Sequence, residues 1–152
     1  MTLTLKTRAM TAAVCLVLAA GTATRGDSKG DDPRSELARL KGTWVRVLDG
    51  KTYIVTFNGE KFATIFEFAE GTTTSSGTIT IDPARKPKHM GWKFAAATGR
   101  AEKLKGNTAQ TIYHLDGDTF TFCASRKKSR PDEFPDKEVV DEYIYLVFKR
   151  VQ

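Results

Sequence analysis

From residue 43 onward the chain alternates apolar and polar positions with period two, the repeat of a strand that buries one face. The alternation is clean in Tyr53, Val55 and Phe57, in Phe62, Phe66 and Phe68, and in Ile79 and Ile81. It returns in Met90, Trp92 and Phe94, in Phe120 and Phe122, and in Ile144, Leu146 and Phe148. These runs predict eight strands, over 43–48, 52–57, 61–69, 76–82, 89–96, 108–116, 119–124 and 142–150. Three Asx-Gly dipeptides, Asp49-Gly50, Asn58-Gly59 and Asp116-Gly117, fall between such runs. Tight hairpin turns need positive φ, which Asn, Asp and Gly tolerate, so each dipeptide marks a hairpin. Short strands in close succession predict an all-β fold, a single up-and-down eight-stranded barrel, with a sandwich as the other way to bury one face. Longer loops belong in the two stretches without alternation, 97–106 and 125–141.

A short helix precedes the sheet. Asp32 can cap it, Pro33 fits the first turn, Leu37 and Leu40 share a face, and Gly42 supplies a stop. The first strand has two readings. Trp44, Arg46 and Leu48 share one side, and Val45 and Val47 the other. Either Arg46 points inward with Trp44, or a bulge resets the phase and sends it to solvent.

The start of the chain reads differently. Lys6 and Arg8 precede an apolar run over 9–20, and Gly21-Thr22-Ala23 offers small residues for cleavage. Residues 1–23 are thus expected to be a secretory signal peptide, too short for a membrane span. Residues 24–31 are small and polar, a flexible tether, and 32–152 form the barrel domain. Cys15 lies inside the apolar run, whereas a lipid-modified cysteine should follow it, so a soluble exported protein, periplasmic or extracellular, is expected. Cleavage would remove two cations and lower the formal charge from +6 to +4. It would leave Cys123 as the single cysteine, which excludes an intramolecular disulfide, and its strand position points to burial.

Catalytic and metal chemistry find little footing. His89 and His114 fall on different strands, with no HxH or Cys-x-x-Cys spacing, and no cofactor is implied. Asp116-Gly117-Asp118 lacks the further oxygens of a calcium loop. There is no Gly-x-Ser-x-Gly, and Glu67 is expected on the outer side of its strand without a partner acid. No catalytic residue and no metal ligand is assigned, and the protein is not read as an enzyme. Basic runs at 85–88, at Arg100, Lys103 and Lys105, and at 126–130 fall in expected loops. Gathered at one end of the barrel they would form an anion-attracting rim; scattered, they keep the surface solvated, which is the favoured reading. They lack the interleaved aromatics of a single-strand binder, so no nucleic-acid partner is expected.

Several segments occur together in order: Leu40-Lys41-Gly42-Thr43-Trp44, Ser76-Gly77-Thr78-Ile79-Thr80-Ile81-Asp82-Pro83 with Lys86-Pro87-Lys88, and Ile112-Tyr113-His114-Leu115-Asp116-Gly117-Asp118-Thr119-Phe120-Thr121-Phe122-Cys123. Arg130-Pro131 with Phe134 and the closing Val147-Phe148-Lys149-Arg150 complete the set. Across about 36–150 the chain resembles a family of small exported domains abundant in planctomycete bacteria. That resemblance implies a lipocalin-like barrel and no reaction. True lipocalins set the tryptophan of a Gly-x-Trp at the barrel base, with a basic side chain of the last strand across it. Trp44 and Arg150 occupy equivalent places, which implies a cation–π contact closing the barrel. The other lipocalin signature loops and the lipocalin disulfide are missing.

The interior carries the functional expectation, since a small barrel is either filled or holds one ligand. The leading reading is a binding protein for a small apolar or amphipathic molecule. Its wall would come from Tyr53, Val55, Phe57, Phe62, Phe66, Phe68, Trp92 and Phe94, and an inward Arg46 would be the polar anchor. The other reading is an envelope protein–protein interaction module with a filled core and no ligand. Neither reading needs stable membrane insertion.

Overall fold

The computed structural model describes residues 32–127, 129–136 and 142–152. The expected signal peptide and tether over 1–31, and Lys128 of the third basic run, lie outside the described residues. The helix α1 (Pro33–Leu40) opens as its sequence dictates, the Asp32 carboxylate accepting from the Ser35 amide at 2.9 Å. It ends when the Lys41 amide donates to the Leu37 carbonyl at 3.1 Å. Gly42, at φ +128°, then turns the chain directly into the first strand.

The strands are β1 (Gly42–Leu48), β2 (Lys51–Asn58), β3 (Lys61–Phe68), β4 (Gly71–Asp82), β5 (Lys88–Ala97), β6 (Thr108–Asp116), β7 (Thr119–Ser125) and β8 (Tyr143–Arg150). Each pairs antiparallel with the next and β8 returns to β1, so the sheet closes into an up-and-down barrel of the lipocalin-like kind rather than a sandwich. Most strands turn their large buried apolar residues, among them Trp44, Phe57, Phe62, Trp92, Phe120 and Phe148, toward the lumen. Among the described residues no helix is long and apolar enough to cross a membrane.

Two details depart from the sequence expectation, and a third settles an alternative it left open. Only Asp49-Gly50 fills both central positions of its turn, at φ 50° and 71°. In the other two hairpins Asn58 pairs with Lys61 and Asp116 with Thr119, so Gly59 and Gly117 stand first in the turn, where a type II′ turn wants glycine. Second, β4 starts at Gly71 and not at Ser76, because the hydroxyl-rich Thr72-Thr73-Thr74-Ser75 pairs with β3 without any apolar alternation. Third, β1 runs unbulged and Arg46 faces inward, 9% exposed, opposite Tyr53. The bulge lies between β4 and β5 instead, where the register passes from Gly77↔Phe94 to Ser76↔Ala96 and leaves Ala95 over. A Cβ on Gly77 would sit 1.9 Å from the Lys93 carbonyl oxygen, so only glycine allows that approach.

The lower half of the barrel is solid. Phe120 packs on Trp44 and Phe57 at centroid distances of 5.7 and 5.4 Å, and on Phe148 at 6.0 Å. α1 closes this end with Leu40, fully buried, and Leu37. It also inserts Glu36, whose carboxylate is wholly buried and accepts from Arg39 Nη1 at 2.8 Å and Lys88 Nζ at 2.7 Å. Burying a carboxylate requires such partners. Burial, and then the adjacent Glu36, push the Tyr113 phenol far above the usual tyrosine range. On the outer face, Arg130 from the loop after β7 donates to the Thr111 carbonyl at 2.7 Å and to Gln110 Oε1, and Phe134 meets the Tyr145 ring. Ile112 and Cys123, which point away from the lumen on paired positions of β6 and β7, are also fully buried. Those two strands are therefore covered on both sides.

Candidate ligand-binding cavity

The upper half of the barrel holds a cavity of about 390 Å³. Its floor is the Trp92 indole, whose N–H donates to Thr111 Oγ1 at 3.0 Å, while that hydroxyl donates to the Met90 carbonyl at 3.0 Å. Val55, Phe66, Phe94, Phe122 and Leu146 supply apolar wall. Thr64 and Ser75 also face in, but their hydroxyls bond to each other at 2.7 Å. The hydroxyls of the deep wall are thus satisfied within the protein, and the pocket offers a mainly apolar surface.

A 3-10 helix, Gly99–Leu104, lies at the mouth and contributes Ala101, Lys103 and Leu104 to the lining. Hydroxyls hold it there. The Arg100 amide donates to Thr73 Oγ1 at 3.2 Å, and the Thr74 and Thr98 hydroxyls lie 2.7 Å apart. Gly99, at φ +60°, lets the chain pass so close to Thr73 that a Cβ would stand 2.9 Å from its hydroxyl.

A second cleft of about 620 Å³ adjoins the first through Phe66, Leu104, Ile144 and Leu146, and adds Arg46, Leu48, Tyr53, Phe68, Tyr143 and Tyr145. It follows the seam between β1 and β8. Those strands pair only at Trp44↔Arg150 and Val45↔Lys149, whereas β1 pairs with β2 along its whole length. Arg46 is the first residue of β1 past that ladder. Val47, next along, is 68% exposed. Among the described residues the lining of the two spaces includes Arg46, Arg100, Lys103 and Arg126, and Glu102 stands with Arg100 and Lys103 at the mouth. Arg100 sits over the Phe68 ring at 4.8 Å and bridges Glu70 at 3.0 Å.

The residues expected at the wall divide by height. Val55, Phe66, Trp92 and Phe94 line the inner cavity, and Arg46, Tyr53, Phe66 and Phe68 line the outer cleft. Phe57 and Phe62 also point inward but lie in the packed half below, both against Trp92. Trp44 and Arg150 meet at the opposite end, with the guanidinium 4.1 Å from the indole centroid. The lining residues that alternation missed are the inward hydroxyls Thr64, Thr73, Ser75 and Thr111, and the mouth residues Ala101, Lys103 and Leu104. Phe122 and Leu146 were legible as inward positions but not as wall. The basic runs separate as well. Arg100, Lys103 and Arg126 gather at the open end, and Lys88 pairs with Glu36 at the closed one.

Burial pushes the Cys123 thiol up to about 11, so it is protonated at neutral pH. Glu67 is exposed on the outer face. Neither opens on the cavity. No family model, characterised protein or solved structure matches this chain.

Proposed function

We propose that this barrel is an exported, lipocalin-like binding protein that takes up a small apolar or amphipathic molecule in its upper cavity. The observation that carries the reading is the unfilled upper half, about 390 Å³ walled by Val55, Phe66, Phe94, Phe122 and Leu146 over a Trp92 floor. That volume falls within the range of small-molecule sites, roughly 300–1,000 Å³, and the lining has the mainly apolar character of such sites. A solid lower half gives the cavity a rigid base, which limits the ordering cost of binding. A barrel serving only as an envelope interaction module has the exposed Val47 and Leu48 in its favour, but it gives the cavity no role.

Titration with a neutral, environment-sensitive apolar dye, followed through Trp92 emission, tests the proposal. Saturable one-to-one binding with quenching or shift of that emission is the expected result. Absence of binding by the dye, together with no small molecule carried by the protein in native mass spectrometry after purification from its own host, would leave the interaction module.

A further inference from the structure

We infer that the molecule bound carries an uncharged acceptor oxygen, a carbonyl, on an otherwise apolar body, received partway down the cavity by the paired hydroxyls of Thr64 and Ser75. This rests on the binding reading above and adds the ligand's functional group and the wall that meets it.

The inference follows from counting protons. A hydroxyl has one to donate. At the floor they are committed, since the Trp92 N–H donates to Thr111 Oγ1 and the Thr111 hydroxyl to the Met90 carbonyl, each at 3.0 Å. The wall between β3 and β4 differs. Thr64 and Ser75 are opposite each other in the ladder with their hydroxyl oxygens 2.7 Å apart, and neither side chain has another hydrogen-bond partner among the described residues. Two hydroxyls joined by one bond use one of their two protons. Whichever donates, the other keeps a proton for a third group. The two residues are 6% and 8% exposed and line the cavity, so that third group belongs to whatever fills it.

The pair also has a definite height and side. Inward residues on β3 run Phe62, Thr64, Phe66; Phe62 packs against Trp92 in the solid half, and Phe66 lines both the inner cavity and the outer cleft. Four strands around the barrel, Phe122 on β7 and Leu146 on β8 supply hydrocarbon. A molecule resting on the Trp92 floor thus meets hydroxyls on one flank and apolar side chains on the other. A carbonyl suits this wall, because it takes the available bond and brings no proton of its own. A buried ligand O–H or N–H would have to bend back to the same two oxygens to find an acceptor. Thr73 is the competing donor. It lines the cavity opposite Phe66, nearer the open end, and its oxygen accepts the Arg100 amide at 3.2 Å.

The test uses two probes of nearly one shape, 2-acetylnaphthalene and 2-isopropenylnaphthalene, in which C=O is exchanged for C=CH2. Affinities for the intact protein are measured by equilibrium dialysis, and the infrared spectrum of the bound ketone is recorded. Thr64→Val with Ser75→Ala replaces both partners by apolar groups of similar shape, an exchange that costs little stability. This double variant should weaken ketone relative to alkene about fivefold, the scale of one net hydrogen bond. Each single variant leaves one hydroxyl with its own proton, so each should keep the parent's ketone-to-alkene ratio within about twofold. The carbonyl stretch of the bound ketone should lie below its hydrocarbon-solvent frequency in the parent and return to it in the double variant. A ratio unchanged in the double variant, or lost instead in Thr73→Val, would overturn the assignment to the pair. A stretch at the hydrocarbon value in the unaltered protein would overturn it too, even if the double variant failed to fold. Each of these results leaves the cavity reading standing, whereas binding of neither probe would remove that reading itself.

Discussion

The guanidinium of Arg150 lies over Trp44, its Cζ 4.1 Å from the indole centroid, at the point where the last strand meets the first. The same side chain donates to the carbonyls of Lys41 and Arg39, each at 2.6 Å, and to Asp118 Oδ1 at 3.0 Å. Trp44 in turn donates its indole N–H to the Leu40 carbonyl at 2.8 Å. The end of α1, the β6–β7 turn and the barrel seam are thus tied through one residue pair. Gly42 leaves room for it, since a Cβ there would come within 3.1 Å of Arg150 Nη1.

Arg150→Ala should therefore cost more than the cation–π contact alone. That contact is worth about 0.5–2 kcal/mol, and the two freed carbonyls raise the expected loss to roughly 2–4 kcal/mol. Lys149→Ala, which removes an outward side chain bonded to Thr119 Oγ1, should change stability by about 0.5 kcal/mol or less. Urea midpoints for the two variants, read through Trp44 emission, check the difference. Equal midpoints would show that the seam does not depend on Arg150.

Glu36 is the second fastening of the closed end. Its carboxylate is inaccessible to water and faces Lys88 from a different element as well as Arg39 one turn away. Glu36→Ala takes the carboxylate from both cations and should destabilise by about 3 kcal/mol, the lower range for breaking a buried pair. Glu36→Gln keeps the volume and some hydrogen bonding and should lose less. Thermal unfolding of both variants tests the order. A Gln variant as unstable as the Ala variant would mean that charge, and not packing, carries the whole effect.

The sequence made the face of each strand legible but not the height along it. Phe57 and Phe66 have the same inward signature, yet one is packed under Trp92 and the other lines the cavity. Period two encodes side, whereas height depends on strand stagger and on which hairpin end carries the plug. Thr64, Thr73, Ser75 and Thr111 escaped because hydroxyl side chains read as solvent-facing, and only hydrogen bonds within the protein make them compatible with the interior, Thr64 with Ser75, Thr111 with Trp92 and the Met90 carbonyl, and Thr73 with the Arg100 amide. Arg46 was readable as inward from Trp44, against the general tendency of strands to turn charge outward. Lys103 and Leu104 fall in a stretch without alternation, and their place at the mouth is set by the Thr73 and Thr74 hydroxyls from β4.

Alkaline pH should reveal the buried thiol. Cys123 is raised from 9.0 to about 11 by burial, so the unfolded chain releases this proton first. Above about pH 9 the unfolded state then binds fewer protons than the folded one, and stability falls as pH rises toward 11. The contribution is fully present below pH 9 and amounts to roughly 2–3 kcal/mol by the two-unit shift. Tyr113, raised further still, adds to the fall at higher pH. Cys123→Ala should flatten the stability profile between pH 9 and 11 whatever its effect at neutral pH. A variant whose slope matches the parent would show that the thiol ionises freely in the fold.

The division of the barrel into a packed half and an open half makes binding and stability separable by substitution. Ala124 faces the lumen, paired with Thr111 and Ile144, and lines the inner cavity. A phenyl group there would project into space now empty, so Ala124→Phe should leave stability within about 1 kcal/mol, or raise it by burying apolar area without displacing neighbours. It should also weaken binding of a neutral apolar dye at least about tenfold, since the phenyl group takes the volume the dye would fill. Phe57 gives the opposite case, because it contacts Phe120 at 5.4 Å and Trp92 at 5.5 Å within the packed half. Phe57→Leu should lower stability by about 1–3 kcal/mol, while dye affinity at temperatures well below unfolding stays within about threefold. Denaturation and dye titration on the same two variants measure both quantities. If Ala124→Phe retains full affinity, the dye binds elsewhere on the protein. If Phe57→Leu loses affinity as readily as stability, the two halves are not independent and the lower core does not serve as a fixed floor.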